Sequence, residues 1–300
     1  MKYLIFLFVT GFLLWLPLGK AANSAALKPQ PVKLSLSLEP ARPVNGSPVL
    51  FRVNSDKPLK LLNGNWLGHR VYFDFDQESG NWCGLAGVEL GTAAGKHQLK
   101  LDYVAAGGAR ATSNQTVTIG RGTYRSSRLR VASRYVEPDA ETLARIKQEQ
   151  EIKREVFRQL SGNRRWKGGF LAPVDNIVTT EPFGVRRVFN GKLQSTHQGL
   201  DFRAAVGTPV KAMNNGEIIL ARDMFFEGGL VVVDHGHGLM TLYMHLSELK
   251  AKEGDRVAKG QVIGLSGATG RVTSEHLHVA VRWQGAYLDP ATLLTMNLPE

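Results

Sequence analysis

Cysteine is nearly missing from this chain of 300 residues. Cys83 is the only one, so no intrachain disulfide can form. It does not follow the N-terminal apolar run directly, which excludes lipid attachment there, and it is expected to be a small buried hydrophobe. Long apolar runs are missing after residue 18, which excludes a polytopic membrane protein. The helical H-E-x-x-H signature is missing too, so a zinc peptidase built on that helix is excluded. The 32 glycines show no period, which excludes a collagen-like chain and leaves them as turn markers between strands. With 43% hydrophobic and 21% charged residues, the chain is not disordered.

What is present begins with an export signal. A lone Lys2 precedes an apolar run from Leu4 to Leu18, and Gly19 and Ala21 occupy the −3 and −1 positions of a cut after Ala21. The run is shorter than the roughly 20 residues that a membrane-spanning helix needs. Residues 1–21 are therefore expected to be a signal peptide. The mature protein is expected to be exported, with no stable membrane insertion.

The formal net charge of +11 invites a nucleic-acid reading. The excess is confined to one half. Residues 22–164 hold 21 basic and 13 acidic residues, against 14 and 13 in residues 165–300. Export and the near-neutral second half argue for no nucleic-acid partner. The basic first half is instead a candidate for holding the protein near anionic wall polymers or membrane surfaces.

Residues 22–125 read as an all-β, sandwich-like, non-catalytic domain. Alternation shows in Val32, Leu34, Leu36 and Leu38, in Val49, Phe51 and Val53, and in Val71, Phe73 and Phe75. It returns in Leu99, Leu101 and Tyr103, and in Val117 and Ile119. His69 and His97 are isolated and are expected to be surface or satisfied histidines. Residues 126–164 read as a basic linker and a helix. Arg121, Arg125, Arg128, Arg130 and Arg134, with no acid among them, suggest a solvated linker. The helix is expected over 138–160, with Pro138 at N1 and an apolar stripe of Leu143, Ile146, Ile152, Val156, Phe157 and Leu160. It should pack one domain against the other. Residues 165–300 read as a second, separate domain of short antiparallel strands without helical periodicity, which makes the whole fold mostly β.

Six of the eight histidines fall between 197 and 278. His197-Gln198-Gly199-Leu200-Asp201 places an imidazole and a carboxylate four apart, a spacing that shares one face of a strand, and Gly199 is expected to permit close backbone approach to an ion. His276-Leu277-His278 directs two imidazoles into one space, with Leu277 turned to the opposite core. His245 follows an apolar strand. Together these residues describe a mononuclear site. Two His and one Asp as ligands leave a fourth position for water, and the two remaining histidines are the nearby bases. Spacing alone leaves open which of His276 and His278 binds metal. His235 and His237, in Asp234-His235-Gly236-His237-Gly238, read as turn and surface residues. Gly264 to Arg271 (GLSGATGR) reads as a tight turn, because it lacks the Lys-Ser/Thr ending of a phosphate loop. Trp283 reads as core.

Ordered blocks from 170 to 290 carry a resemblance. They include Pro182 to Arg187 (PFGVRR), Ser195 to Phe202 (STHQGLDF), Val231 to Gly238 (VVVDHGHG), Thr241 to Ser247 (TLYMHLS), Gly254 to Gly270, and Glu275 to Val279 (EHLHV). The segment resembles the lysostaphin-like zinc metallopeptidases, β-sheet endopeptidases that cut peptide cross-links of bacterial peptidoglycan. The resemblance implies one Zn²⁺ per chain held by His197, Asp201 and His278. It makes His245 and His276 the catalytic pair, and peptidoglycan peptide cross-links the substrate. One departure is Ser274-Glu275, where the family usually has Gly-Pro at the rim of the cleft. The alternative is a catalytically silent wall-binding activator of another hydrolase. Without a recognisable wall-binding repeat, a periplasm is the expected location, and bonds between D-alanine and a diamino acid are the expected target, with a glycine bridge as runner-up. The first half is also a candidate cover for the groove, and a protein regulator a candidate partner.

Overall fold

Period-2 alternation builds the first half of the structure. The computed structural model describes residues 32–191 and 193–300; the signal segment 1–21 lies outside them. Eight strands come first: β1 (Leu34–Glu39), β2 (Pro48–Ser55), β3 (Leu59–Trp66), β4 (His69–Tyr72), β5 (Asp74–Asp76), β6 (Asn81–Gly87), β7 (Gly95–Ala105) and β8 (Arg110–Ile119). They form two four-stranded antiparallel sheets, in the orders β1-β2-β6-β5 and β4-β3-β7-β8. Val49, Phe51, Val53, Leu99, Leu101, Val117 and Ile119 turn inward from these strands and are buried. Cys83 is buried among them as a free thiol. Phe75 departs from the expected pattern. It is exposed and meets Trp82 edge-on, because β5 is a three-residue edge strand.

The remaining elements are β9 (Ser126–Leu129), α1 (Ala140–Arg158), β10 (Thr179–Glu181), β11 (Arg186–Phe189), β12 (Leu193–Thr196), β13 (Leu200–Phe202), β14 (Pro209–Lys211), β15 (Gly216–Met224), β16 (Gly228–Gly236), β17 (Leu239–Leu246), β18 (Glu248–Leu249), β19 (Arg256–Val257), β20 (Val262–Leu265), β21 (Leu277–Trp283), β22 (Ala286–Leu288) and α2 (Pro290–Thr295). An eight-stranded sheet runs β10-β13-β21-β17-β16-β15-β19, with β22 on β21. Both its faces are covered, so its strands read as continuous apolar runs. Val231, Val233, Tyr243, Val279 and Val281 join a cluster that continues into the sandwich. Leu230, Val232, Met240, Leu242 and Ala280 face the other way.

The second face belongs to α1. Its Ile152, Val156 and Phe157 pack on that layer, so the helix caps the second half's own sheet and does not act as a wedge between domains. The helix is also shorter than expected. Asp139 is the N-cap and accepts from Thr142 N at 2.8 Å, leaving Pro138 outside the first turn. Leu143 and Leu160 are exposed. A second helix, α2, was not expected; Asp289 caps it and Pro290 starts it. Contact between the two halves runs instead through Gly87 against Leu288, Trp283 edge-on to His69 at 5.5 Å, and Tyr72 stacked on His237 at 4.9 Å. Trp283 is core, as read from the sequence.

The basic stretch is not a solvated linker throughout. Ser126–Leu129 forms β9 and pairs in parallel with β11, in the three-stranded order β12-β11-β9. The backbone hydrogen bonds of that edge capture a segment whose side chains gave no strand signal. Arg134 lies over the ring of Tyr135. Among the described residues, no helix is long and apolar enough to cross a membrane.

Candidate metal centre and active-site groove

The site is assembled where β13 lies beside β21. Asp201 and His278 are direct cross-strand partners, so register alone brings a carboxylate and an imidazole together. His278 Nδ1 lies 2.7 Å from Asp201 Oδ1. His197 is not on a strand. It sits in the turn between β12 and β13, pinned by His197 N to Val185 O (2.7 Å) and Gly184 N to His197 O (2.8 Å). Its Nε2 lies 2.9 Å from both Asp201 Oδ1 and His278 Nδ1. The three donor atoms fall within 4.8 Å of one another, and all three residues are buried.

Second partners orient these groups. His197 Nδ1 faces Pro182 O at 2.7 Å. A carbonyl can only accept, so Nδ1 carries the hydrogen and Nε2 presents its lone pair to the centre. Asp201 Oδ2 accepts from Arg187 Nη2 at 2.9 Å, and Arg187 also pairs with Glu181. Burial alone would raise the Asp201 carboxyl, but the ring nitrogens of His197 and His278 at hydrogen-bond distance from Oδ1 hold it far below the usual carboxylate range. Two imidazole nitrogens and one carboxylate oxygen converging on one point suit Zn²⁺. Three protein ligands leave a fourth position open, as in catalytic zinc sites. The pairing of Arg187 with Asp201 was not read from the sequence, since a contact 14 residues apart leaves no local pattern.

Gly199 acts differently from expectation. A Cβ there would lie 2.4 Å from Val279 O and 2.5 Å from His278 Nε2. Its role is to let β13 close on the His278 ring, not to approach an ion. Gly199→Ala is expected to displace that ring and weaken zinc binding by about 10–100-fold. Chelator competition measures this, and unchanged affinity would refute it.

His245 and His276 face each other beside this centre, with ring centroids 4.9 Å apart. His245, the last residue but one of β17, has φ +65°, a strained left-handed conformation for a residue other than glycine. Its backbone N donates to Glu227 O at 2.8 Å, and its Nδ1 donates to Thr269 O at 2.9 Å. The Gly264 to Arg271 segment, read as a tight turn, therefore also orients a candidate base. His276 Nδ1 donates to Ser274 O at 2.8 Å, and its Nε2 lies 3.8 Å from Asp201 Oδ1. Both rings thus expose Nε2 towards the centre. Burial above all, and then the neighbouring His278 and His276 rings, push His245 well below its ordinary value, which favours the neutral imidazole.

The pair opens onto a groove of about 490 Å³, lined among others by Glu181, Arg187, His245, His276 and Glu275. Leu129 and Val131, from the segment after the sandwich, also line it. His235 and His237 are outside the site, but neither is a surface residue. His235 is fully buried, with Nδ1 at 2.7 Å from Asn215 O and Nε2 at 2.8 Å from Thr241 Oγ1, and burial pulls it down to about 4. His237 is buried beneath Tyr72.

Comparison with known proteins agrees with this geometry. Residues 195–290 match the model of Peptidase family M23. The peptidoglycan DD-endopeptidase ShyA of Vibrio cholerae is 41% identical over 108 residues, which are 36% of this chain and 24% of ShyA. The glycyl-glycine endopeptidase ALE-1 of Staphylococcus capitis is 45% identical over 84 residues, 27% of this chain and 23% of that protein. The chain thus spans about a quarter of the length of these relatives. A Pseudomonas aeruginosa structure assigned to peptidase M23 aligns with 84% of this chain and 95% of its own, at 29% identity and a TM-score of 0.66. The likeness to that structure takes in the first half as well as the site, and the matched segment carries all five residues of the constellation: residues 195–290 are a peptidase family M23 domain.

Proposed function

We propose that this protein is an exported zinc endopeptidase that hydrolyses peptide cross-links of bacterial peptidoglycan, with His197, Asp201 and His278 as ligands and His245 and His276 as the catalytic pair. One observation carries the reading. Three metal-ligand atoms within 4.8 Å of one another stand beside two imidazoles whose Nε2 atoms are free, on the floor of an open groove. Zinc held there would supply Lewis acidity and a water of lowered pKa. The chain's own groups do the rest. Thr269 O and Ser274 O hold the Nδ1 hydrogens of His245 and His276, so each Nε2 can accept a proton from the attacking water. The ring that takes it becomes an imidazolium, whose Nε2–H then faces the oxygen that gains charge. Arg187 holds the Asp201 carboxylate in place through Oδ2. The name of ShyA supports bonds between D-alanine and a diamino acid as the target; that of ALE-1 supports the glycine bridge less well, because the sequence reads as periplasmic.

Zinc analysis of the purified protein, paired with digestion of cell-wall sacculi, tests this. One zinc per chain is expected, with muropeptide release that chelation stops and Zn²⁺ restores. Release indifferent to chelation, or no release from zinc-loaded protein, would overturn it.

A further inference from the structure

Three guanidinium groups line the groove: Arg187, Arg203 and Arg271. Arg187 is committed to Glu181 and Asp201, and Arg203 is exposed. Arg271 differs from both. Its guanidinium lies between the rings of Phe189 and Phe226, 4.6 and 4.7 Å from their centroids. Its backbone is fixed by Arg271 N to Phe226 O at 2.9 Å, and the carbonyl before it accepts from Tyr135 Oη at 2.5 Å. Among the described residues, no carboxylate lies within ion-pair distance of it. Glu227, whose charge acts on Arg271, is engaged by Lys153 of α1. Burial, and then repulsion from Arg187, pull the guanidinium below its ordinary value, as befits a cation short of counter-charge.

Arg271 also occupies a junction. With Arg187 and His245, it lines both the main groove and an adjoining pocket of about 200 Å³ that reaches His197 and His278. The two aromatic faces partly offset its desolvation and hold the flat fork in one plane. They leave its in-plane N–H donors, the ones that match a carboxylate two to one, without an acidic partner. Arg282, another partly buried arginine, lies over Phe157 beneath α1, on the far face of the sheet from the groove.

We propose that Arg271 anchors a carboxylate of the peptide substrate next to the scissile bond. This rests on the endopeptidase reading above and deepens it: the substrate is an acidic peptide stem, and its free carboxylate is read by the site. Arg271 is then a substrate-binding residue, distinct from the histidines that handle the proton.

The test uses zinc-loaded full-length protein and two probes, a cross-linked muropeptide with free carboxylates and its fully amidated counterpart. Arg271→Met is expected to raise KM for the free acid about tenfold or more while kcat changes by less than about threefold. Amidation is expected to cost the unaltered protein the same factor and the variant nothing further, and Arg271→Lys is expected to recover part of the loss. Intact handling of the amidated probe shows that the variant is folded. Equal losses on both probes, or none, would overturn the proposal and leave cation–π packing as the whole role of Arg271. Calorimetric binding separates the two readings. Carboxylate-dependent binding without cleavage would keep this inference and sink the endopeptidase reading. Cleavage without carboxylate preference would do the reverse, and neither binding nor cleavage would sink both.

Discussion

Asp201→Asn is expected to empty the metal centre and to lower sacculus hydrolysis by about a thousandfold or more. The substitution keeps the shape of the side chain and removes only its charge. Asp201 is the one anionic donor in the set, and its Oδ1 is the atom that His197 Nε2 and His278 Nδ1 both face, at 2.9 and 2.7 Å. Without the charge, two neutral imidazoles are left to hold a dication beside the Arg187 guanidinium, which is 2.9 Å from Oδ2. The repulsion that Asp201 now cancels would then act on the ion directly. The fold is expected to survive, since β13 and β21 are held by their ladder and by Leu200, Phe202, Leu277 and Val279 in the core. Zinc content and muropeptide release should fall together. A variant that keeps one zinc per chain and full activity would remove Asp201 from the centre.

His276→Ala is expected to give a different result: zinc retained, and kcat reduced by about 10²–10⁴-fold, the usual contribution of a positioned acid–base group. His278→Ala should lose both metal and activity. The two histidines are separated by a single residue, so the contrast is sharp. His278 stands opposite Asp201 in the ladder with Nδ1 at 2.7 Å from its Oδ1, whereas His276 Nε2 is 3.8 Å away and its ring packs on His245. Equal zinc loss in His276→Ala and His278→Ala would reverse or merge the roles proposed for them. His245→Ala should behave like His276→Ala, because the His245 ring is 6.0 Å from that of His278 and its Nδ1 is bound to Thr269 O.

Much of this was legible along the chain, and the misses share a cause. Strands were read well where one residue in two is buried, as in β7 and β8, and where apolar runs end at Gly or Asp, as in β16. β9 was missed because a strand captured by the backbone of β11 needs no apolar pattern of its own. α1 was found but misplaced in its packing. Its stripe says that something covers it, not which of two sheets does. His235 and His237 were read as exposed because Gly-flanked histidines usually are. The tertiary structure buries them by supplying Asn215 O, Thr241 Oγ1 and the face of Tyr72.

By itself, the sequence determined that this protein has two β-rich halves joined through a helix. It also brought forward His197, Asp201, His245, His276 and His278 as the candidate set of the second half, since residue type and local spacing are written in the chain. Only the tertiary structure decided which atoms of that set converge, that Arg187 holds Asp201 while Thr269 and Ser274 orient the His245 and His276 rings, and that Arg271 has no carboxylate within ion-pair distance among the described residues. Those relations depend on register between strands some 80 residues apart and on which face of a sheet is covered, and neither has a signature in neighbouring residues.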